Sequence, residues 1–186
     1  WSGVSEEYLA THLQEDTLKL IMRGSAHIRT QGRILEEEER RVGHAMDRPG
    51  PWITAREQRE YDLADRIVVL SSFAYESFVS EGLDRKRVRL VPLGTNTQSF
   101  RPGPKIVDDR VRRILSGEPL RVLYVGNVSF QKGMLDMAEI IQSLPGGQFR
   151  CQLVGTVLAE TRHMVSALEN FADFVPRRPQ RMLPKV

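Results

Sequence analysis

A single cysteine, Cys151, occurs among 186 residues. It excludes an internal disulfide and a thiolate metal cluster. It fits a reducing compartment, and its place in the apolar run 149–154 points to a buried structural thiol. No run reaches about 18 apolar residues, so nothing reads as a membrane-spanning helix. Aromatics make up 7% of the chain and are not interleaved with its basic residues, which argues against a nucleic-acid binder. No initiator methionine and no signal peptide are visible, and the sequence opens in mid-pattern at Trp1 and stops at Val186 without a tail. A piece of a longer protein is the expectation.

What is present is ordinary globular material, 40% hydrophobic and 27% charged. The net charge of +3 is uneven: residues 1–100 hold 14 Lys/Arg against 16 Asp/Glu, and residues 101–186 hold 13 against 8. A basic C-terminal part suits an anionic ligand, whether nucleotide, nucleic acid or lipid headgroup, and charge does not choose between them.

The chain is organised around residues 120–133, L-R-V-L-Y-V-G-N-V-S-F-Q-K-G. Residues 120–125 form a short β-branched apolar run and read as a buried strand. Gly126 ends it. From Gly133 the residues Met134, Leu135, Ala138 and Ile141 follow a helical period. Lys132 therefore falls at a helix N-terminus, where free N–H groups and the macrodipole already carry partial positive charge. A phosphate held by both would relieve that conflict; a solvated lysine pointing away is the bland alternative.

Around this stretch the pattern alternates strand and helix. Residues 5–14 read as a helix with Leu9 and Leu13 as its apolar stripe, and 18–22 as a strand running into the loop Arg23-Gly24-Ser25-Ala26-His27. Ligands of open α/β sheets bind at such strand ends, which marks His27 against the background of an ordinary solvated loop histidine. A helix over 31–42 carries the acid run 36–39 before Arg40 and Arg41, a solvated face rather than a metal site, because successive helical residues point apart. A proline-led helix follows from Pro51 to about Ala64, with Trp52 assigned to packing. Strand 66–70, a helix begun by Ser71-Ser72 and strand 88–91 make a βαβ unit with parallel strands. Residues 92–119 hold four prolines and a short basic helix at 107–115, the best linker in the chain. A second α/β run follows: helix 134–144, a turn at 145–147, strand 149–154, helix 159–170 and strand 171–175.

Three motifs in order resemble glycosyltransferase family 4. Glu60-Tyr61-Asp62-Leu63-Ala64-Asp65-Arg66-Ile67 through Ser71 is similar to its E-x-x-x-A-D-x-I-x-x-x-S pattern. Pro92-Leu93-Gly94-Thr95-Asn96 through Pro102 is similar to P-x-G-x-D-x-x-x-F-x-P, with Asn96 in place of aspartate. Gly126-Asn127 through Lys132-Gly133 is similar to the loop G-R-x-x-x-x-K-G, with Asn127 in place of arginine. The loop 23–27 also looks like the family's strand-end loop carrying an active-site histidine.

The resemblance implies an α/β chain of GT-B type, two Rossmann-like domains, both incomplete, joined by a linker. Residues 1–92 would be the C-terminal part of the acceptor-side domain, 93–119 the linker and 120–186 the first part of the nucleotide-sugar domain. The implied parent enzyme transfers a hexosyl group from a nucleotide-diphosphate sugar to a hydroxyl acceptor with retention of configuration, with no metal or other cofactor. The acceptor would be a carbohydrate, a lipid or a small molecule, and no nucleic acid is involved. Lys132 and His27 are the implied catalytic residues. Gly126, Asn127, Lys132 and Gly133 would hold the donor diphosphate, and Gly24, Ser25 and His27 the acceptor-side loop. Asn127 donates hydrogen bonds but no charge. The family's E-x7-E motif and N-terminal glycine-rich loop fall outside the chain, so the fragment by itself is expected to be inactive. The implied location is cytoplasmic, with peripheral association at the inner membrane face for members that glycosylate lipids or exported polysaccharide. A non-catalytic nucleotide- or phosphate-binding α/β module is the competing reading.

Overall fold

The protein is described from a computed structural model, which covers residues 1–11, 17–144 and 147–185. The chain divides into two compact units, Trp1–Thr95 and Asn96–Val186.

The first unit is a parallel sheet of β1 (Leu20–Arg23), β2 (Arg66–Val69) and β3 (Val88–Leu90), in that order. Alternation turns Ile21, Ile67, Val69 and Val88 into a core shared with Tyr61 and Phe78. Each such side chain contributes about 1.5–3 kcal/mol by leaving water. The helices α1 (Glu6–Ala10), α2 (Ile28–Val42), α3 (Pro51–Leu63) and α4 (Ser72–Ser80) supply the crossovers and the packing layer. Of the helix expected over 5–14, positions 12–14 with Leu13 lie outside the described residues.

The helix ends follow local chemistry. Ser71 caps α4, its Oγ accepting from the Ala74 N–H at 3.1 Å. Pro51 opens α3 at its first position. Gly43 closes α2 at φ +66°, a left-handed conformation that side chains disfavour. The start of α1 is capped from a distance. Glu60, fully buried on α3, accepts from the N–H groups of Gly3, Ser5 and Glu6. The C-terminal end of α3 is held by Arg87, whose guanidinium donates to the carbonyls of Tyr61 and Ala64. Trp52 does not pack as expected: it is 69% exposed, its ring 5.6 Å from the Arg56 guanidinium carbon, because the α3 face that meets the core is the one carrying Glu57, Glu60 and Tyr61.

The second unit begins with α5 (Pro104–Leu115), inside the proline-rich stretch read as linker and starting before the predicted 107. Pro104 is the reason, since its fixed φ suits a first helical turn. A parallel sheet of β4 (Leu120–Val125), β5 (Phe149–Val154) and β6 (Ala172–Val175) follows, in that order. The helices α6 (Met134–Ser143) and α7 (Arg162–Leu168) pack on it through Met134, Ile141 and Leu168. Cys151 is buried in this core, and burial pushes its thiol pKa up, so it stays protonated. The turn expected at 145–147 lies mostly outside the described residues. The strand expected to be buried, β4, is covered on one face only: Leu123 and Val125 are about half exposed, while Val122 and Tyr124 pack inward. Among the described residues no helix is long and apolar enough to cross a membrane.

Candidate functional site

In the second unit the loops at the C-terminal ends of β4 and β5 are tied together. Gly126 N–H donates to the Val154 carbonyl at 3.0 Å, and Val128 N–H to that of Thr156 at 2.9 Å. The Val128 carbonyl in turn accepts from Leu158 N–H at 3.1 Å and from the Thr161 hydroxyl at 2.7 Å. Val128 and Thr161 are fully buried, so this strap is dry. The two chains approach so closely that an ideal Cβ on Gly155 would lie 1.7 Å from the Gly126 carbonyl oxygen.

From this strap the chain makes a single 3-10 turn, Phe130–Lys132. The Ser129 carbonyl accepts from Lys132 N–H at 3.1 Å and from Met134 N–H at 3.2 Å. Gly133, at φ +76°, then turns the chain into α6. Lys132 therefore stands two residues before Met134, the first residue of α6, with Gly133 as the N-cap between them. It is exposed, and no ion pair to it occurs among the described residues. No side chain caps α6, although Asp136 sits in its first turn and offsets part of the dipole. Asn127 is exposed, and its carbonyl accepts from the Tyr124 hydroxyl at 2.7 Å. Gly126, Asn127, Lys132 and Gly133 thus share one braced loop. That loop offers one exposed cation at the end of a parallel sheet, a charge that suits an oxyanion, while the N–H groups of Gly126, Lys132 and Gly133 already donate to the carbonyls of Val154, Ser129 and Phe130.

In the first unit Gly24 and Ser25 are exposed and His27 is not. His27 is 2% exposed and serves as the N-cap of α2, its Nδ1 accepting from the Arg29 N–H at 3.3 Å. The histidine read as part of an acceptor-side loop is a buried cap because its own neighbourhood is aromatic: the Tyr61 and Phe78 rings both stand 5.0 Å from the imidazole. Its backbone N–H donates to the Ser77 hydroxyl at 2.9 Å. Burial holds its pKa down at about 4, so the ring is neutral at physiological pH, with the proton assigned to Nε2. A neutral imidazole can donate a hydrogen bond or fix a polar group; it does not supply a positive charge.

Residues that sequence reasoning had passed over hold this loop. Arg23 donates to the Ala26 carbonyl at 3.1 Å, to Glu57 at 2.8 Å and to Gln31 at 2.6 Å. Glu57 also accepts from the Tyr61 hydroxyl, which makes a buried chain from Arg23 through Glu57 and Tyr61 to the His27 ring. In sequence, Tyr61 stands only as a variable position of the E-x-x-x-A-D pattern and Glu57 carries no signal; their i,i+4 spacing places them on one side of α3. Among the described residues no group of three or more His, Cys, Asp or Glu could hold a metal ion.

No family model matches the sequence, and no curated protein matches it. Solved structures do. HepE from Anabaena in complex with UDP matches at 17% identity over 68% of this chain and 38% of its own, with a TM-score of 0.51. The same protein with UDP-glucose matches at 16% identity over 69% and 37%, again with a TM-score of 0.51. The lipopolysaccharide outer core galactosyltransferase WaaB, in its apo form, matches at 13% identity over 93% and 46%, with a TM-score of 0.49. The chain spans less than half the length of each of these proteins. At such identities the likeness is one of fold: an α/β chain of GT-B type, made of Rossmann-like units with parallel sheets.

Proposed function

We propose that the parent of this chain is a retaining glycosyltransferase of family 4 that moves a hexosyl group from a nucleotide-diphosphate sugar to a hydroxyl acceptor. The observation that carries this reading is the exposed Lys132, without an ion pair among the described residues, on a braced loop that leads into α6. As the bond from the anomeric carbon to phosphate breaks and the acceptor oxygen takes its place, negative charge builds on the departing diphosphate. A cation fixed beforehand at that point favours the transition state over the bound donor. Gly126, Asn127 and Gly133 are the diphosphate loop in this reading. His27, with Gly24 and Ser25, is assigned to the acceptor side as a neutral polar positioning group. Carbohydrate, lipid or small-molecule hydroxyls are the acceptor class, no metal or other cofactor is invoked, and the site of action is cytoplasmic. By itself the chain is assigned donor binding and not turnover.

The fold is shared with a protein crystallised with UDP and UDP-glucose, which makes UDP the first nucleotide to try. Calorimetric titration of the 186-residue chain with UDP, GDP and ADP, with Lys132→Ala in parallel, tests the donor site. Binding that the substitution removes supports it; failure of every nucleotide, here and on a chain extended past Val186, ends it. One observation favours a non-catalytic nucleotide-binding module: Asn127 leaves the loop with a single cation. Nucleotide-sugar-dependent product formation by the full-length parent separates the two.

A further inference from the structure

Hydrogen-bond polarity on the loop 23–27 is set from beneath it. The largely buried Arg23 has its charge met by the buried Glu57 carboxylate, 2.8 Å away. A guanidinium only donates, so the Gln31 atom that Arg23 reaches at 2.6 Å is the acceptor Oε1, and the orientation of that amide follows. Ser25 Oγ lies 3.1 Å from the same Oε1. Because Oε1 only accepts, the hydroxyl gives its one proton there. Both lone pairs of Oε1 are then taken. The exposed Ser25 oxygen keeps lone pairs and no proton. Among the described residues nothing accepts from Gln31 Nε2, which leaves its N–H bonds for water or a ligand.

This polarity selects what can sit on the loop. A carboxylate, a sulfate or a phosphodiester brings more lone pairs and no proton, and Arg23 has no charge to spare for it. A ligand hydroxyl fits: its proton goes to Ser25 Oγ, and its oxygen can accept from an amide. The neighbouring surface narrows the class further. The exposed indole of Trp1 lies beside Gly24, with its Cζ3 3.5 Å from where a Cβ on that glycine would stand. An aromatic face next to a hydroxyl-reading oxygen suits a sugar or cyclitol ring, which has an apolar C–H side and a polar edge.

We infer that Ser25 and Gln31 form a specificity-determining pair that takes an uncharged polyol ring by one hydroxyl, with Ser25 Oγ as the atom that accepts its proton. The inference rests on the glycosyl-transfer reading, which gives the loop its acceptor-side role. NMR titration of the nitrogen-15-labelled 186-residue chain with glucose, galactose, mannose and myo-inositol tests it. At least one of the four shifts the amides of Gly24, Ser25 and Gln31. Fluorine in place of a single hydroxyl removes the proton but not the lone pairs, and at one ring position it weakens binding about tenfold. Ser25→Ala weakens the parent polyol by a similar factor and abolishes the difference between hydroxyl and fluorine. Gln31→Met frees the Ser25 proton, so that difference narrows while the polyol still binds. Neither residue is buried, and unchanged circular dichroism verifies the fold of both variants. No shift with any of the four, equal binding of every fluorinated analogue, or shifts produced by sulfate instead overturns the inference. UDP titrated into the same sample separates the two readings: UDP bound through Lys132 while the polyols fail overturns the pair alone, and failure of both ends the donor assignment as well.

Discussion

Gly155 lies against Gly126 so closely that a methyl group on Gly155 would overlap the Gly126 carbonyl, 1.7 Å away. The loop that carries Lys132 is therefore positioned by a contact between two backbones, and the side chain excluded from it is as important as any present.

Gly155→Ala forces β4 and β5 apart at their ligand-facing ends. Overpacking of this kind costs about 2–3 kcal/mol. A lower urea midpoint is the expected result, with the Val128, Leu158 and Thr161 amides exchanging faster than those within β4. A variant as stable as the parent chain would show that the strap yields easily.

Asn127→Arg adds a second cation to the loop at an exposed position. If the loop holds a diphosphate, one extra charge-assisted hydrogen bond strengthens UDP binding about tenfold or more. Thermal stability should stay where it was, because nothing buried changes. Unchanged affinity would place the diphosphate elsewhere.

The pH dependence of stability isolates His27. Its folded pKa of about 4 lies below the ordinary 6.5, so between those values the unfolded chain binds the extra proton. Stability is fully present above pH 6.5 and declines as pH falls toward 4, by roughly 3 kcal/mol across the window. The carboxylates of Glu6, Glu7 and Glu81 are lowered from 4.5 by arginine partners and hydrogen bonds and act below that range. His27→Asn keeps a capping acceptor and removes the titration. Denaturation between pH 4.5 and 6.5 should then show a flatter slope than that of the parent chain.

Glu60→Gln replaces a carboxylate that accepts three backbone N–H groups with an amide offering a single acceptor oxygen. Hydrogen bonds to a charged group are worth about 1.5–3 kcal/mol each, and part of that is lost. The expected result is destabilisation of roughly 2–3 kcal/mol, with the Gly3, Ser5 and Glu6 amides losing protection first. A neutral effect would mean that water serves the α1 terminus equally well.

The strand and helix order was legible because each element carries its own period: Ile67 and Val69 alternate, and Met134, Ala138 and Ile141 recur at helical spacing. So was the position of Gly133, whose positive φ ends one turn and opens a helix. What local pattern could not reveal is contact made across sequence. His27 reads as a loop residue until Tyr61, Ser77 and Phe78 are placed around it. Glu60 reads only as the first residue of a motif until the N-terminal amides of α1 converge on it. The half-open face of β4 escaped because an apolar run looks the same whether one or both of its faces are covered. Trp52 failed for the converse reason: large apolar side chains usually pack, and the α3 face it occupies does not.

The clamp of Arg87 on the carbonyls of Tyr61 and Ala64 has a consequence for synthesis of the chain. The hydroxyl that receives the His27 N–H belongs to a residue fifty positions later, and the helix carrying Tyr61 is anchored only once Arg87 has followed. A ribosome emits the histidine well before its walls and their anchor, so the pocket closes only after Arg87 has been added. Until then the imidazole stands in water and titrates as a free histidine does.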